Sequence, residues 1–312
     1  MGLGSSLPLA PWWPAAAAAI ALAAITPQAH AYCRTSVCDG ERVGKVCEPA
    51  EPDDCGKPLF WAGRCVGYSV QQDASERVPW EVANDITEVA FDTWSAVSCA
   101  GASGPTIEGV NLGPVECATR EYNQRGGNAN LIVFRDDQWP YAGQWNTLAL
   151  TTVTYNLDTG EIYDADLEVN STNVELTWSD VGAQYDLPSI VTHEVGHVFG
   201  LAHSDDVGAT MFSDYQVGST ALRDLAADDQ AGICAIYPPG SPRADLVCDP
   251  TPRHGFKTDC GPGPEEDDGC SLGALQGRSA PRTSWLWAAG LALALATRRF
   301  GGGRPSSRSR RS

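Results

Sequence analysis

Lysine, arginine, aspartate and glutamate are all absent from the first 31 residues of this 312-residue chain, and no acidic residue lies beyond Cys270. Histidine and methionine are scarce, at five and two, and Met1 is one of the two methionines. No apolar run reaches the roughly 20 residues of a comfortable membrane span. The two that come closest, Pro14 to Ala24 and Trp285 to Ala296, sit near the ends. Positive charge is also in short supply, with 21 Lys and Arg against 39 Asp and Glu. Eight of those 21 follow Cys270, so 13 basic residues face all 39 acidic ones in the region before it. Such a field disfavours nucleic acid and anionic membrane surfaces as partners. It serves solubility, and it would also suit basic substrates or calcium. No internal repeat is visible.

Cysteine, by contrast, is plentiful. After an alanine-rich apolar stretch, Ala29-His30-Ala31 offers an A-x-A cleavage site, so residues 1–31 read as a signal peptide despite the missing n-region charge. Eleven cysteines in an exported chain imply a disulfide framework. Residues 32–59 form a Cys-rich segment. Cys99 with Cys117, and Cys248 with Cys260, read as local pairs. The number is odd, and Cys270 is the expected leftover.

Three of the five histidines fall in one stretch, His193-Glu194-Val195-Gly196-His197-Val198-Phe199-Gly200-Leu201-Ala202-His203. On a helix, His193 and His197 lie one turn apart on the same face and can reach one ion. Gly200 suits a left-handed exit from that helix, and the turn brings back His203. Three imidazoles leave the fourth position of a tetrahedral zinc to water. Glu194 stands beside the first ligand and can take that water's proton without binding metal. Scattered histidines on an ordinary helix do not account for histidine, glutamate and glycine together at these spacings.

The stretch resembles the metzincin peptidases, whose pattern is H-E-x-x-H-x-x-G-x-x-H followed by a methionine turn. Met211, in Ala209-Thr210-Met211-Phe212, holds the place of that methionine, which in the family packs beneath the zinc ligands. Ser204 makes the site similar to a matrixin, and Leu225 to Tyr237 resembles that family's last helix. The resemblance covers residues 60–238. It implies an α+β metzincin (zincin-like) catalytic domain: a mixed twisted sheet with an active-site helix and a C-terminal helix. It also implies one catalytic zinc on His193, His197 and His203, with Glu194 as general base. The strand holding Leu148, Ala149 and Leu150 would be the edge above the cleft, where an extended peptide pairs with its backbone. Tyr215 would help shape the pocket beyond Met211. Ser213 occupies the place where some metzincins carry a zinc-binding tyrosine, so Tyr215 is not assigned as a ligand. Ile162 replaces the histidine of a structural zinc site. Asp164 remains a candidate calcium ligand, although Leu167 stands where the family has glutamate. Cys55-Gly56-Lys57-Pro58 echoes a latency motif, but Asp54 replaces its arginine, and a disulfide is expected instead.

The pattern along the chain agrees with this order. Val66 to Val70 reads as a first strand. Pro79 opens a helix with an apolar face of Val82, Ile86, Val89, Phe91, Trp94 and Val97. Asn130 to Phe134 and Leu148 to Tyr155 read as strands, and Glu161 to Val169 returns after Asp158-Thr159-Gly160. Asp186 and Pro188 start the helix with the histidines. Residues 239–270, rich in acid, proline and glycine, read as a linker. Residues 271–312 resemble the MYXO-CTERM sorting tails of exported proteins, with Cys270 as the processing point. A plain membrane anchor is the alternative.

The expectation is an exported or surface-tethered zinc endopeptidase acting on proteins or peptides. Two rivals stand beside it: a non-catalytic zinc-containing surface module of the same fold, and a peptidase dedicated to itself or to one partner. The oligomeric state is open.

Overall fold

The computed structural model describes residues 1, 31–38, 42–51, 54–99, 103–141, 147–172, 174–259 and 270–278. Residues 2–30 of the expected signal peptide (1–31) and residues 279–312 of the expected sorting tail (271–312) lie outside these residues. Among the described residues, no helix is long and apolar enough to cross a membrane.

In chain order the strands begin β1 (Cys33–Cys38), β2 (Arg42–Cys47), β3 (Lys57–Pro58) and β4 (Cys65–Val70), followed by helix α1 (Trp80–Ser95). Next come β5 (Glu108–Asn111), β6 (Leu131–Arg135), β7 (Thr147–Tyr155) and β8 (Ile162–Asn170). The short β9 (Leu176–Thr177) and β10 (Tyr185–Asp186) lead into α2 (Leu187–Val198). Beyond it lie β11 (Leu201–Ala202), β12 (Asp214–Gln216), α3 (Ala227–Ile236) and β13 (Cys270–Arg278). Among the described residues, the principal sheet has seven strands in the order β12-β13-β7-β8-β6-β4-β5. Strands β4, β5, β6 and β8 are parallel, whereas β7 runs antiparallel to β8. This is the expected α+β arrangement with a mixed sheet.

Helix α1 begins after Pro79, as the sequence predicts, but its buried face differs. Ala83, Thr87, Ala90, Phe91 and Trp94 are buried, while Val89 is 63% exposed. A 3.6-residue period centred on Ala90 leaves Val89 off the stripe. Phe91 stacks on Tyr68 of β4 and meets Phe199 edge-on, which packs α1 against both the sheet and the end of α2. The indole N–H of Trp94 donates to the carbonyl of Thr192, 2.8 Å away.

The Cys-rich segment is integrated rather than separate. β1, β2 and β3 make a small antiparallel sheet, and β1 also pairs with β11 just after α2. Disulfides Cys33–Cys47 and Cys38–Cys55 close it, and the second fulfils the expectation for Cys55. Both expected local pairs are corrected: Cys99 bonds Cys234, and Cys248 bonds Cys65. Cys99 lies just past α1 and Cys234 lies in α3, so tertiary packing sets this pair. The linker reading of residues 239–270 is corrected over its first part. Cys248 is tied to β4, Phe256 bridges Asn128, and the Thr258 carbonyl accepts from the amides of Glu116 and Cys117. Local composition registers neither a distant disulfide nor backbone pairing.

Candidate metal centre and cleft

Helix α2 carries the site because its start is firmly fixed. Asp186 caps it, accepting from the Ser189 amide (3.0 Å) and hydroxyl (2.7 Å). Arg223 grips the same carboxylate with two nitrogens, at 2.8 and 2.6 Å. The helix ends at Val198, and Gly200 follows with φ +95. A Cβ there would lie 2.9 Å from the Leu59 carbonyl oxygen, so both the backbone angle and the close approach require glycine.

This exit returns His203 toward the helix. His193, His197 and His203 each present a ligand nitrogen within 4.8 Å of the others, forming a group able to hold a metal ion. The Nε2 atoms of all three are buried without a hydrogen-bond partner. The opposite nitrogens of two are engaged: His193 Nδ1 lies 2.6 Å from the Thr210 carbonyl, and His197 Nδ1 lies 2.8 Å from that of Leu201. A carbonyl only accepts, so each Nδ1 carries the proton and each Nε2 offers its lone pair. Burial, reinforced by neighbouring charge, holds His193 well below the ordinary histidine range, His197 at about 3 and His203 at about 4. Neutral imidazoles are what a divalent metal needs. Three convergent, orphaned, neutral nitrogens fit zinc.

Glu194 is fully buried on the same turn. Its Oε2 accepts from the Thr151 hydroxyl of β7 at 2.7 Å. Met211 lies beneath, 1% exposed. A Cβ on Gly196 would stand 2.2 Å from Met211 Sδ and 2.7 Å from Trp94 Cζ2, so α2 can sit down on the methionine only with glycine at this position. The turn around Met211 is fastened by Asp229 of α3, which accepts from the amides of Thr210 (2.7 Å) and Met211 (3.0 Å). Its neighbour Asp228 accepts from the Ser204 hydroxyl at 2.7 Å and from the Ala31 amide at 2.5 Å. Burial raises the Asp229 carboxyl to about 6, against the opposing pull of those amides.

Leu148, Ala149 and Leu150 are buried in β7. The expectation that this strand forms the open edge is corrected: β13 pairs along it. An unpaired edge offers a row of backbone donors and acceptors, and here the chain supplies its own strand to them. Tyr215 is fully buried in β12. Its hydroxyl accepts from the Asp186 amide (2.9 Å) and donates to the Ser219 carbonyl (2.6 Å), tying the segment beyond Met211 to the start of α2. Cys270 begins β13, opposite Val153. Asp164 and Asp166 are buried in β8. Asp166 accepts from the amides of Leu131 and Glu121, whereas Oδ1 of Asp164 has no partner among the described residues.

The sequence alone assigns no role in the site to Thr151, Asp229 or Arg223. Asp229 had a local signal, as part of an Asp-Asp pair opening a helix. Thr151 looks like any strand threonine.

Residues 60–238 match the family model described as Matrixin. Neutrophil collagenase from Homo sapiens is 40% identical over 86 residues, covering 25% of this chain and 18% of that protein. Interstitial collagenase from Oryctolagus cuniculus is 38% identical over 76 residues, 24% of this chain and 16% of that protein. Matrix metalloproteinase-C from Caenorhabditis elegans is 27% identical over 194 residues, 61% of this chain and 30% of that protein. The chain thus spans 16–30% of the length of these relatives.

Proposed function

Because the chain belongs to the matrixin family, we propose that it is a zinc-dependent endopeptidase with His193, His197 and His203 as the metal ligands. The observation that carries this reading is the set of three buried, unpartnered Nε2 atoms beside a glutamate held by Thr151. Bound zinc would supply a water acidic enough to ionise near pH 7 and would polarise the scissile carbonyl. Glu194 takes the water's proton and passes it to the leaving amine. Thr151 donates to Oε2 and so fixes the carboxylate's direction. His193 and His197 keep their tautomers through the Thr210 and Leu201 carbonyls. Met211 packs under the site, and Asp229 holds its turn in place. Substrates are extended peptides that pair with β7 along Leu148, Ala149 and Leu150 in place of β13, with the Tyr215 segment as the second wall.

The disulfides support export, since such bonds persist in oxidising compartments. Processing near Gly269-Cys270, with surface tethering or shedding, is part of this proposal and rests on the tail's sequence. Calcium enters at Asp164, where a buried oxygen lacks a partner two residues from Asp166. A rise in Tm on adding calcium, lost in Asp164→Asn, tests that part. The non-catalytic alternative gives no task to the hydroxyl-held Glu194.

The deciding experiment incubates the full chain with a random peptide library, with and without chelator, alongside metal analysis. The expected result is chelator-sensitive cleavage and about one zinc per chain. A folded, unchelated protein without zinc, or one that cleaves nothing once β13 is displaced, would overturn the reading.

A further inference from the structure

The cleft has an occupant within the chain itself. β13 runs antiparallel to β7 and parallel to β12, filling the place between the two walls. Gly273, Ala274 and Leu275 stand opposite Thr151, Leu150 and Ala149. Thr151 is the residue whose hydroxyl holds Glu194, so this run passes beside the proposed proton carrier. One residue on, Gln276 is in register with Thr147 on one side and Asp214 on the other. The register shifts between Ser271 and Gly273 and again between Leu275 and Gln276. The strand therefore pairs with β7 from Cys270 to Gln276 and with β12 from Gln276 to Arg278, sharing Gln276 between the two walls.

We infer that residues 270–278 are an intramolecular peptide ligand of the substrate cleft, which must leave before an external peptide can pair with β7. This rests on the cleft assignment above and adds the ligand's identity. Only one strand can take the outer hydrogen-bonding side of β7 at a time, so the two peptides exclude each other. A tethered ligand competes at an effective concentration on the order of millimolar when its linker is short. The chain runs from Asp259, on the body of the domain, to Cys270 at the start of the strand.

The test uses the full chain carrying Glu194→Ala, so that nothing is cut. Ala274→Pro and Leu275→Pro are added separately, since proline lacks the amide hydrogen and is poorly tolerated inside a sheet. Two readouts are independent of turnover. Hydrogen exchange over residues 147–155 should quicken in both proline variants, with Tm unchanged. A fluorescent peptide of sequence Ser271 to Arg278, added in trans, should bind the proline variants about 10-fold or more tighter than the parent. Unchanged exchange and unchanged peptide affinity would overturn the inference. So would a large fall in Tm with no peptide binding, because β13 would then be a fixed member of the sheet. Failure of the peptidase reading shows separately, as absent hydrolysis in proline variants that retain Glu194.

Discussion

Glu194 and Gly196 are neighbours on one helical turn, yet they answer to different demands. Glu194 is held for chemistry. Glu194→Ala should lower peptide hydrolysis by about 10²–10⁴-fold, the usual contribution of a general acid–base group. Zinc content should be unchanged, as metal analysis beside a single-turnover assay would show. Near-normal turnover would remove Glu194 from its role. Gly196 answers to packing, because Met211 Sδ and Trp94 Cζ2 occupy the space a methyl group would take. Gly196→Ala should destabilise the domain by about 1–3 kcal/mol, typical of overpacking. Chemical denaturation measures this, and an unchanged midpoint would contradict the geometry. The two residues were unequally legible. Glu194 was readable because its role lies in a local spacing. The requirement at Gly196 arises from Met211 and Trp94, remote in sequence, and no neighbouring residue records it.

Among the elements, β8 carries the clearest electrostatic load. Asp164 and Asp166 point into buried ground, and burial raises both, Asp166 to about 8, with Glu168 adding to the rise. A folded value above the unfolded one means that folding favours the protonated acid. The stabilising contribution is therefore complete below the unfolded value of about 3.9 and is lost as pH rises through about 8. In chelator, stability to denaturant should decline between about pH 7 and pH 8, and Asp164→Asn should flatten the decline. That range lies above the one in which the buried histidines, whose folded values are depressed, gain stability as pH rises. A stability that rises between about pH 7 and pH 8 in chelator would refute this account. The same strand shows what sequence reading captures. Its alternation and the Asp158-Thr159-Gly160 turn locate β7 and β8 to within a residue of their ends. The neighbour of β7 was not readable, because β13 comes from a segment whose composition suggests a linker joined to a tail. Backbone pairing at an edge depends on which strand arrives there, and local sequence does not state it.

At the scale of the whole molecule, two disulfides join parts that the chain keeps far apart. Cys65–Cys248 spans 183 residues and Cys99–Cys234 spans 135. Each restricts a large loop of the unfolded chain, which on the chain-entropy model is worth about 5 kcal/mol. Reduction under native conditions should therefore lower Tm sharply while leaving the ligand set intact. Finding these four cysteines as free thiols in the unreduced, denatured protein would contradict the framework. The chain's far end tests a second connection. If processing cuts at Gly269-Cys270, β13 loses its covalent link to the domain, and the cleft loses a ligand that had been held at high local concentration. The expected mature protein has an intact mass that lacks Trp285 to Ser312, with processing near Gly269-Cys270. It should hydrolyse external peptide with a lower KM than the uncut chain and a similar kcat, because removing a competitor changes access and leaves the chemistry alone. Cleaving an engineered site at that bond in vitro should reproduce the change. Equal KM before and after the cut would separate the tail from control of the cleft, and a mature species ending at Ser312 would leave only the plain membrane anchor.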